Sequence, residues 1–350
     1  MEVFLSFGSI LIILALIVLA CVVFTNAVEH LGEELNLSEG AVGSVLAAVG
    51  TALPETIVPL VAIVGGYLAG TDMEKANEIG IGAILGAPFM LGTLAFFVTG
   101  LAVVIFTRTG RRNKEMPVNT VVMFRDLHYF ALAYTISILS SFIPFRPLKW
   151  VMAGVLLIVY LVYVIKTIQT ASKETEGGQE ELAALYLTKY IEPPKNLQLT
   201  FIIIQLMIAL VGIILLAHVF VGQIEFLAEF FKINPLILSL IITPIATELP
   251  EKFNSVIWIR AKKDTLAMGN ITGAMVFQSC IPTAVGLALT PWILSIDALV
   301  NVLMVYLSVG VVYLNIVRNK GVLQPSALLT GGLFYAFFLI YVIFKILNHG

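Results

Sequence analysis

Ten long apolar runs dominate the 350 residues, at roughly 5–28, 39–67, 77–106, 126–143, 148–168, 198–220, 234–260, 265–290, 295–316 and 325–347. A spanning helix needs ~20 mostly apolar residues. Each run is therefore read as one crossing of a bilayer, and the fold class expected is an all-α membrane protein. Composition agrees, with 59% hydrophobic residues, 12% charged and a mean hydropathy of +1.00, against roughly a quarter charged in a soluble domain. The formal net charge of −2 leaves no basic excess for phosphates, so nucleic acid is excluded as a partner. Cys21 and Cys280 lie in apolar runs, with neither zinc spacing nor a disulfide framework. The first run has no basic segment before it and is read as a retained helix rather than a signal peptide.

An even number of spans puts both termini on one side. Arg108, Arg111, Arg112, Lys114, Arg125, Lys166, Lys173, Lys189, Lys195, Arg260, Lys262, Lys263, Arg318 and Lys320 follow spans 3, 5, 7 and 9, and few cations lie at the other ends. Cytoplasmic loops carry the positive excess. Both termini are thus expected to be extracytoplasmic. The acidic segment 171–196, with Gly177-Gly178, Pro193-Pro194 and a helix-like stretch over Glu180–Tyr190, reads as a cytoplasmic linker between residues 1–170 and 197–350.

Those two parts repeat one another. Gly50-Thr51-Ala52-Leu53-Pro54-Glu55 in span 2 matches Ala246-Thr247-Glu248-Leu249-Pro250-Glu251 in span 7 at four of six positions. Gly82-Ala83-Ile84-Leu85-Gly86-Ala87 matches Gly269-Asn270-Ile271-Thr272-Gly273-Ala274 equally well. Two halves of five spans enter the membrane from opposite sides, so the repeats are expected to be inverted, an arrangement of secondary transporters with the substrate near the midplane.

A carboxylate within a membrane helix is costly and marks a functional position. Glu55 and Glu251 are such carboxylates, placed symmetrically. The proline before each cannot donate to the carbonyl four residues earlier, at Gly50 and at Ala246, so helices 2 and 7 are expected to be broken there. With the Thr51 and Thr247 hydroxyls one turn before, the set offers carboxylate, hydroxyl and carbonyl oxygens, the ligands of a hard cation such as calcium. The Gly82/Gly86 and Gly269/Gly273 pairs permit close helix approach. Asn270 and Gln278 in span 8 are candidate amide ligands, each equally a helix–helix hydrogen bonder. Glu248 precedes Lys252 by four residues, the favoured orientation for an intrahelical pair, so it is either ligand or salt-bridge partner. Asn26, Gln205 and His218 read as local hydrogen bonders or interfacial residues.

The two hexapeptides resemble those of the calcium/cation antiporter superfamily, which includes the sodium/calcium and cation/proton exchangers. The resemblance covers the ten spans, the inverted halves and the central linker. It implies that Glu55 and Glu251 hold the transported calcium beside Thr51, Thr247 and the carbonyls at the kinks, that spans 1 and 6 slide as a pair, and that no cofactor is needed. It places the protein in a prokaryotic cell membrane. Ala52, Glu248, Ala87, Ala274, Leu91 and Gln278 depart from the pattern of prokaryotic sodium/calcium exchangers, so several oxygens of the flanking sodium sites are missing. The function expected is exchange of Ca2+ or a related divalent for Na+ or H+, with proton coupling slightly favoured; the alternative is a divalent channel or uniporter. An enzyme is excluded, because the four histidines are dispersed and no nucleophile motif occurs.

Overall fold

A computed structural model describes residues 2–34, 54–70, 72–171, 184–188 and 197–349. These residues are nearly all helical. The helices are α1 (Glu2–Glu34), α2 (Pro54–Ala69), α3 (Met73–Met90), α4 (Phe96–Arg108), α5 (Thr120–Ser141), α6 (Arg146–Ala171), α7 (Gln198–Phe231), α8 (Pro235–Thr247), α9 (Leu249–Arg260), α10 (Asp264–Leu289), α11 (Ile296–Arg318) and α12 (Pro325–His349). A π-helical turn, Leu91–Ala95, joins α3 to α4, so that 73–108 forms one rod of 36 residues, about 54 Å at 1.5 Å per residue. Pro88 lies one turn before it, where the missing N–H disturbs the regular ladder.

Six stretches among the described residues are long and apolar enough to cross a membrane: Met73–Arg108, Arg146–Gln169, Gln198–Phe231, Asp264–Leu289, Ile296–Arg318 and Pro325–Lys345. Shorter apolar helices occur at Gly8–Phe24, Glu55–Leu68 and Pro235–Pro244. Large apolar side chains such as Leu11, Leu161, Leu215, Ile340 and Phe344 face outward. Water would penalise that surface and lipid does not. The chain is an integral membrane protein.

Helix ends follow local chemistry. Asp72, Asn119 and Ser295 cap α3, α5 and α11 with side-chain oxygens on first-turn N–H groups. Asn119 starts α5 six residues before the apolar run that the sequence suggested. The two ends of the 73–108 rod collect different contacts. Beyond its far end, Arg112 pairs with Asp264, the Asn119 N–H donates to the Thr265 hydroxyl, and β1 (Met116–Pro117) pairs antiparallel with β2 (Val322–Leu323). Near its start, Lys75 meets Glu229 at 2.5 Å and Asn234 donates to Glu78 at 2.6 Å.

Among the described residues, two large apolar cores form beside a small cluster of Ala27, Leu185 and Ile202. The larger gathers residues of α3–α6 and α8–α12, among them Phe89, Phe130, Leu240, Met275 and Phe338. The other is built by α1, α2 and α7 through Ile13, Ile17, Val58, Ile213 and Phe220, with Ile79 of α3.

Most of the expected linker lies outside the described residues. Its described part, 184–188, contains a 3-10 turn at Tyr186–Thr188. This part is not simply solvated: Leu185 is buried with Ala27 and Ile202. The Asn26 amide donates to the Ala184 carbonyl and accepts from the Tyr186 N–H, while Gln205 accepts from the Leu187 N–H at 2.7 Å.

Candidate functional site

The second proline-glutamate motif sits at a break. α8 ends at Thr247, Glu248 has φ −96° and ψ 9°, and α9 begins at Leu249 with Pro250 in its first turn. Pro250 has no N–H for the Ala246 carbonyl, which is the local cause. Main-chain bonds of 3.3 Å still run from the Glu248 N–H to the Pro244 carbonyl and from the Lys252 N–H to the Glu248 carbonyl, so the rod kinks without separating. Glu251 falls in the first turn of α9 and Glu55 in the first turn of α2. A helix N-terminus carries partial positive charge and favours an ionised carboxylate.

Glu55 is 2% exposed and Glu248 fully buried. Glu248 receives two groups at once. The Lys252 ammonium stands 3.7 Å from its Oε2, and the Gln278 amide donates to its Oε1 at 3.3 Å. The Lys252 Nζ also donates to the Pro244 carbonyl at 3.4 Å. The Gln278 Oε1 is buried without a hydrogen-bond partner among the described residues. Gln278 therefore turns its donor toward a carboxylate and retains an acceptor for another ligand.

Helix α3 crosses α8 closely. A Cβ on Gly82 would overlap the Leu236 carbonyl, and one on Gly86 would overlap the Leu240 carbonyl and come within 2.7 Å of Pro244. The Ser239 hydroxyl ties the same two helices by donating to the Ile79 carbonyl at 2.8 Å. The second glycine pair behaves differently, against the sequence-based expectation. A Cβ on Gly269 would meet Val122 at 3.7 Å and one on Gly273 the Tyr163 hydroxyl at 3.2 Å. Side chains, not a crossing backbone, face those glycines.

Gly50 and Thr51 lie outside the described residues, and for Ala246, Thr247 and Glu251 the structure describes the main chain. Among the described side chains no three His, Cys, Asp or Glu groups come together. Asn270 is half-buried, two turns before Gln278 on α10. Asn26 and Gln205 are the local hydrogen bonders expected, the Gln205 amide donating to Asn26 at 2.9 Å and to the Val23 carbonyl at 3.0 Å.

One buried polar group escaped the sequence reading. Asp126, 1% exposed, accepts from Thr272 at 2.8 Å, from Arg125 at 2.9 Å and from Tyr163 at 3.2 Å. Placed beside an arginine at the start of an apolar run, it resembled a loop charge. Its position inside the first two turns after the Asn119 cap was the available signal.

A profile of the family described as "Sodium/calcium exchanger protein" matches residues 5–169 and 201–347. The inner membrane protein YrbG of Escherichia coli K12 is 24% identical over 256 residues, 71% of this chain and 69% of its own. Among solved structures, the H+/Ca2+ exchanger CAX superposes with a TM-score of 0.70 at 16% identity, over 98% of this chain and 88% of that one. The sodium–calcium exchanger NCX_Mj, soaked with Na+ and Sr2+, does so with a TM-score of 0.58 at 20% identity, over 97% and 99%.

Proposed function

The chain belongs to the sodium/calcium exchanger protein family, and from that membership we propose that it is a cation antiporter moving Ca2+ or a related divalent ion against Na+ or H+ by alternating access. The observation that carries this reading is the kink at Glu248, which brings a buried carboxylate, a lysine, an amide and helix-end carbonyls together between apolar helices. In the full arrangement, Glu55 and Glu251 hold the divalent ion, assisted by the Thr51 and Thr247 hydroxyls and the carbonyls of Gly50 and Ala246. Glu248 and Gln278 complete the wall, with the Asn270 amide as a further ligand on the same helix as Gln278. Ten spans in two inverted halves, 1–170 and 197–350, put this site at the midplane, with the 171–196 linker cytoplasmic and both termini outside a prokaryotic cell membrane. The meeting of the 109–119, 261–263 and 319–324 connections at one end of the bundle supports that plan.

Alternating access moves α1 and α7 as a pair past the fixed site. The ties between them, Ser9 with Gln223 and Asn26 with Gln205, support this. Ala52, Ala87, Leu91 and Ala274 supply no side-chain oxygen, which favours proton coupling, or coupling to fewer than three sodium ions.

The test is 45Ca2+ flux in proteoliposomes with sodium and proton gradients imposed separately. Uptake is expected to follow one gradient and to vanish in Glu55→Gln and in Glu251→Gln, each still folded. Flux needing no counter-ion would make the protein a uniporter, and an undiminished neutral variant would remove the glutamates from the site.

A further inference from the structure

The two hexapeptides continue in register for one more position, which pairs Thr56 with Lys252. In the first half the positions at the kink and one turn beyond it are Ala52 and Thr56, while in the second they are Glu248 and Lys252. A carboxylate and an ammonium thus stand together in one repeat, and neither stands in the other. The second half carries an extra anion with its own cation built in.

We infer that the Lys252 ammonium is a tethered cation filling a monovalent-cation position of the ion site. This rests on the reading of that site as a cation-binding centre. Lys252 is 8% exposed, and its Nζ lies 3.7 Å from the Glu248 Oε2 and 3.4 Å from the Pro244 carbonyl. Backbone carbonyls and C-terminal ends of half-helices are the groups with which broken transporter helices coordinate sodium, and the Pro244 carbonyl lies in the last turn of α8. The negative end of the α8 dipole adds to the attraction. A locked ion pair has N···O near 2.7–2.9 Å. At 3.7 Å from the carboxylate and 3.4 Å from the carbonyl, the ammonium faces both acceptors at the break. The remaining Glu248 oxygen is held by the Gln278 amide at 3.3 Å, which fixes the carboxylate toward the lysine.

Charge counting gives this a consequence. Glu55, Glu248 and Glu251 carry three negative charges and Lys252 one positive, so the set as a whole balances a divalent ion. Without the ammonium the set carries one more negative charge and two vacated acceptors, which a sodium ion satisfies. With both residues replaced by their first-half counterparts the balance returns.

The experiment is equilibrium binding of 45Ca2+ and 22Na+ to the purified full-length chain. The wild type is expected to bind Ca2+, with the Na+ bound beside it setting the baseline. Lys252→Met is expected to bind one more Na+ per chain at saturating Ca2+. Glu248→Ala is expected to lose Ca2+ affinity by tenfold or more, and Glu248→Ala with Lys252→Thr to recover it without the extra Na+. A pair that served only to pack α8 against α9 would alter folding but not sodium stoichiometry. A folded Lys252→Met that binds Ca2+ and no additional Na+ overturns the inference. If that variant does not fold, the double variant decides, and its failure to bind Ca2+ overturns the inference equally. A wild type that binds no divalent ion at all overturns instead the assignment of the site.

Discussion

Arg112 shows how much one buried residue can hold. Its guanidinium and the Asp264 carboxylate are 2% and 3% exposed, bonded twice at 2.7 and 2.9 Å, and Arg112 also donates to the Ile259 and Glu115 carbonyls. With the Nε donating to the Asn113 carbonyl, all five guanidinium N–H groups are answered here, so the pair is stable as a unit and costly to break. Arg112→Ala is expected to lower stability by about 3–5 kcal/mol by leaving Asp264 charged and alone. Thermal denaturation in detergent checks this, and Arg112→Ala with Asp264→Ala should regain part of the loss. A single variant that melts like wild type would mean that the pair is solvated in the membrane. The sequence marked Arg112 only as one of many cytoplasmic cations, because its partner is 152 positions away.

At the scale of elements, the crossing of α3 and α8 sets the geometry of the kink. Gly82 and Gly86 face carbonyls across the contact, whereas Gly269 faces only the Val122 side chain at 3.7 Å. Gly86→Ala must move one helix against the other, a strain of about 1–3 kcal/mol, and Pro244 beside it belongs to the turn that positions Glu248. It is expected to lower exchange sharply. Gly269→Ala should leave exchange near wild type, since its methyl meets ordinary van der Waals contact. Equal losses in the two variants would show that α10 moves against α5 during transport. Sequence similarity presented the two glycine pairs as equivalent. A small-residue motif states only that close approach is permitted; which helix takes the opening depends on how the bundle closes.

Across the whole molecule, α1 and α7 form one body that shares its core with α2 and Ile79 of α3. The two helices are tied to each other by Ser9 with Gln223 and by Asn26 with Gln205. One exposed ion pair, Lys75 with Glu229, bridges from α7 to α3. A pair at this level of exposure contributes little, because solvent screens it, so it can break in every cycle. Cysteines at 75 and 229 joined by a short bifunctional crosslinker are therefore expected to stop transport while 45Ca2+ binding persists, with reversal of the linkage restoring flux. Transport that continues after complete crosslinking would mean that α7 does not slide past α3 at this end.

Sequence alone determined the membrane class, the apolar runs, the repeated glutamates and the proline that breaks the second site helix. Those properties come from composition and from chemistry within a few residues, which each stretch of chain carries wherever it lies. Tertiary structure alone decided that Glu248 is shared between Lys252 and Gln278, that the first glycine pair and not the second meets a backbone, that Asp126 is buried, and that part of the linker docks on α1 and α7. Each of these joins residues from different helices or from a distant connection, except the short Glu248–Lys252 step. Which faces meet is settled by packing the whole bundle, and no local pattern encodes it.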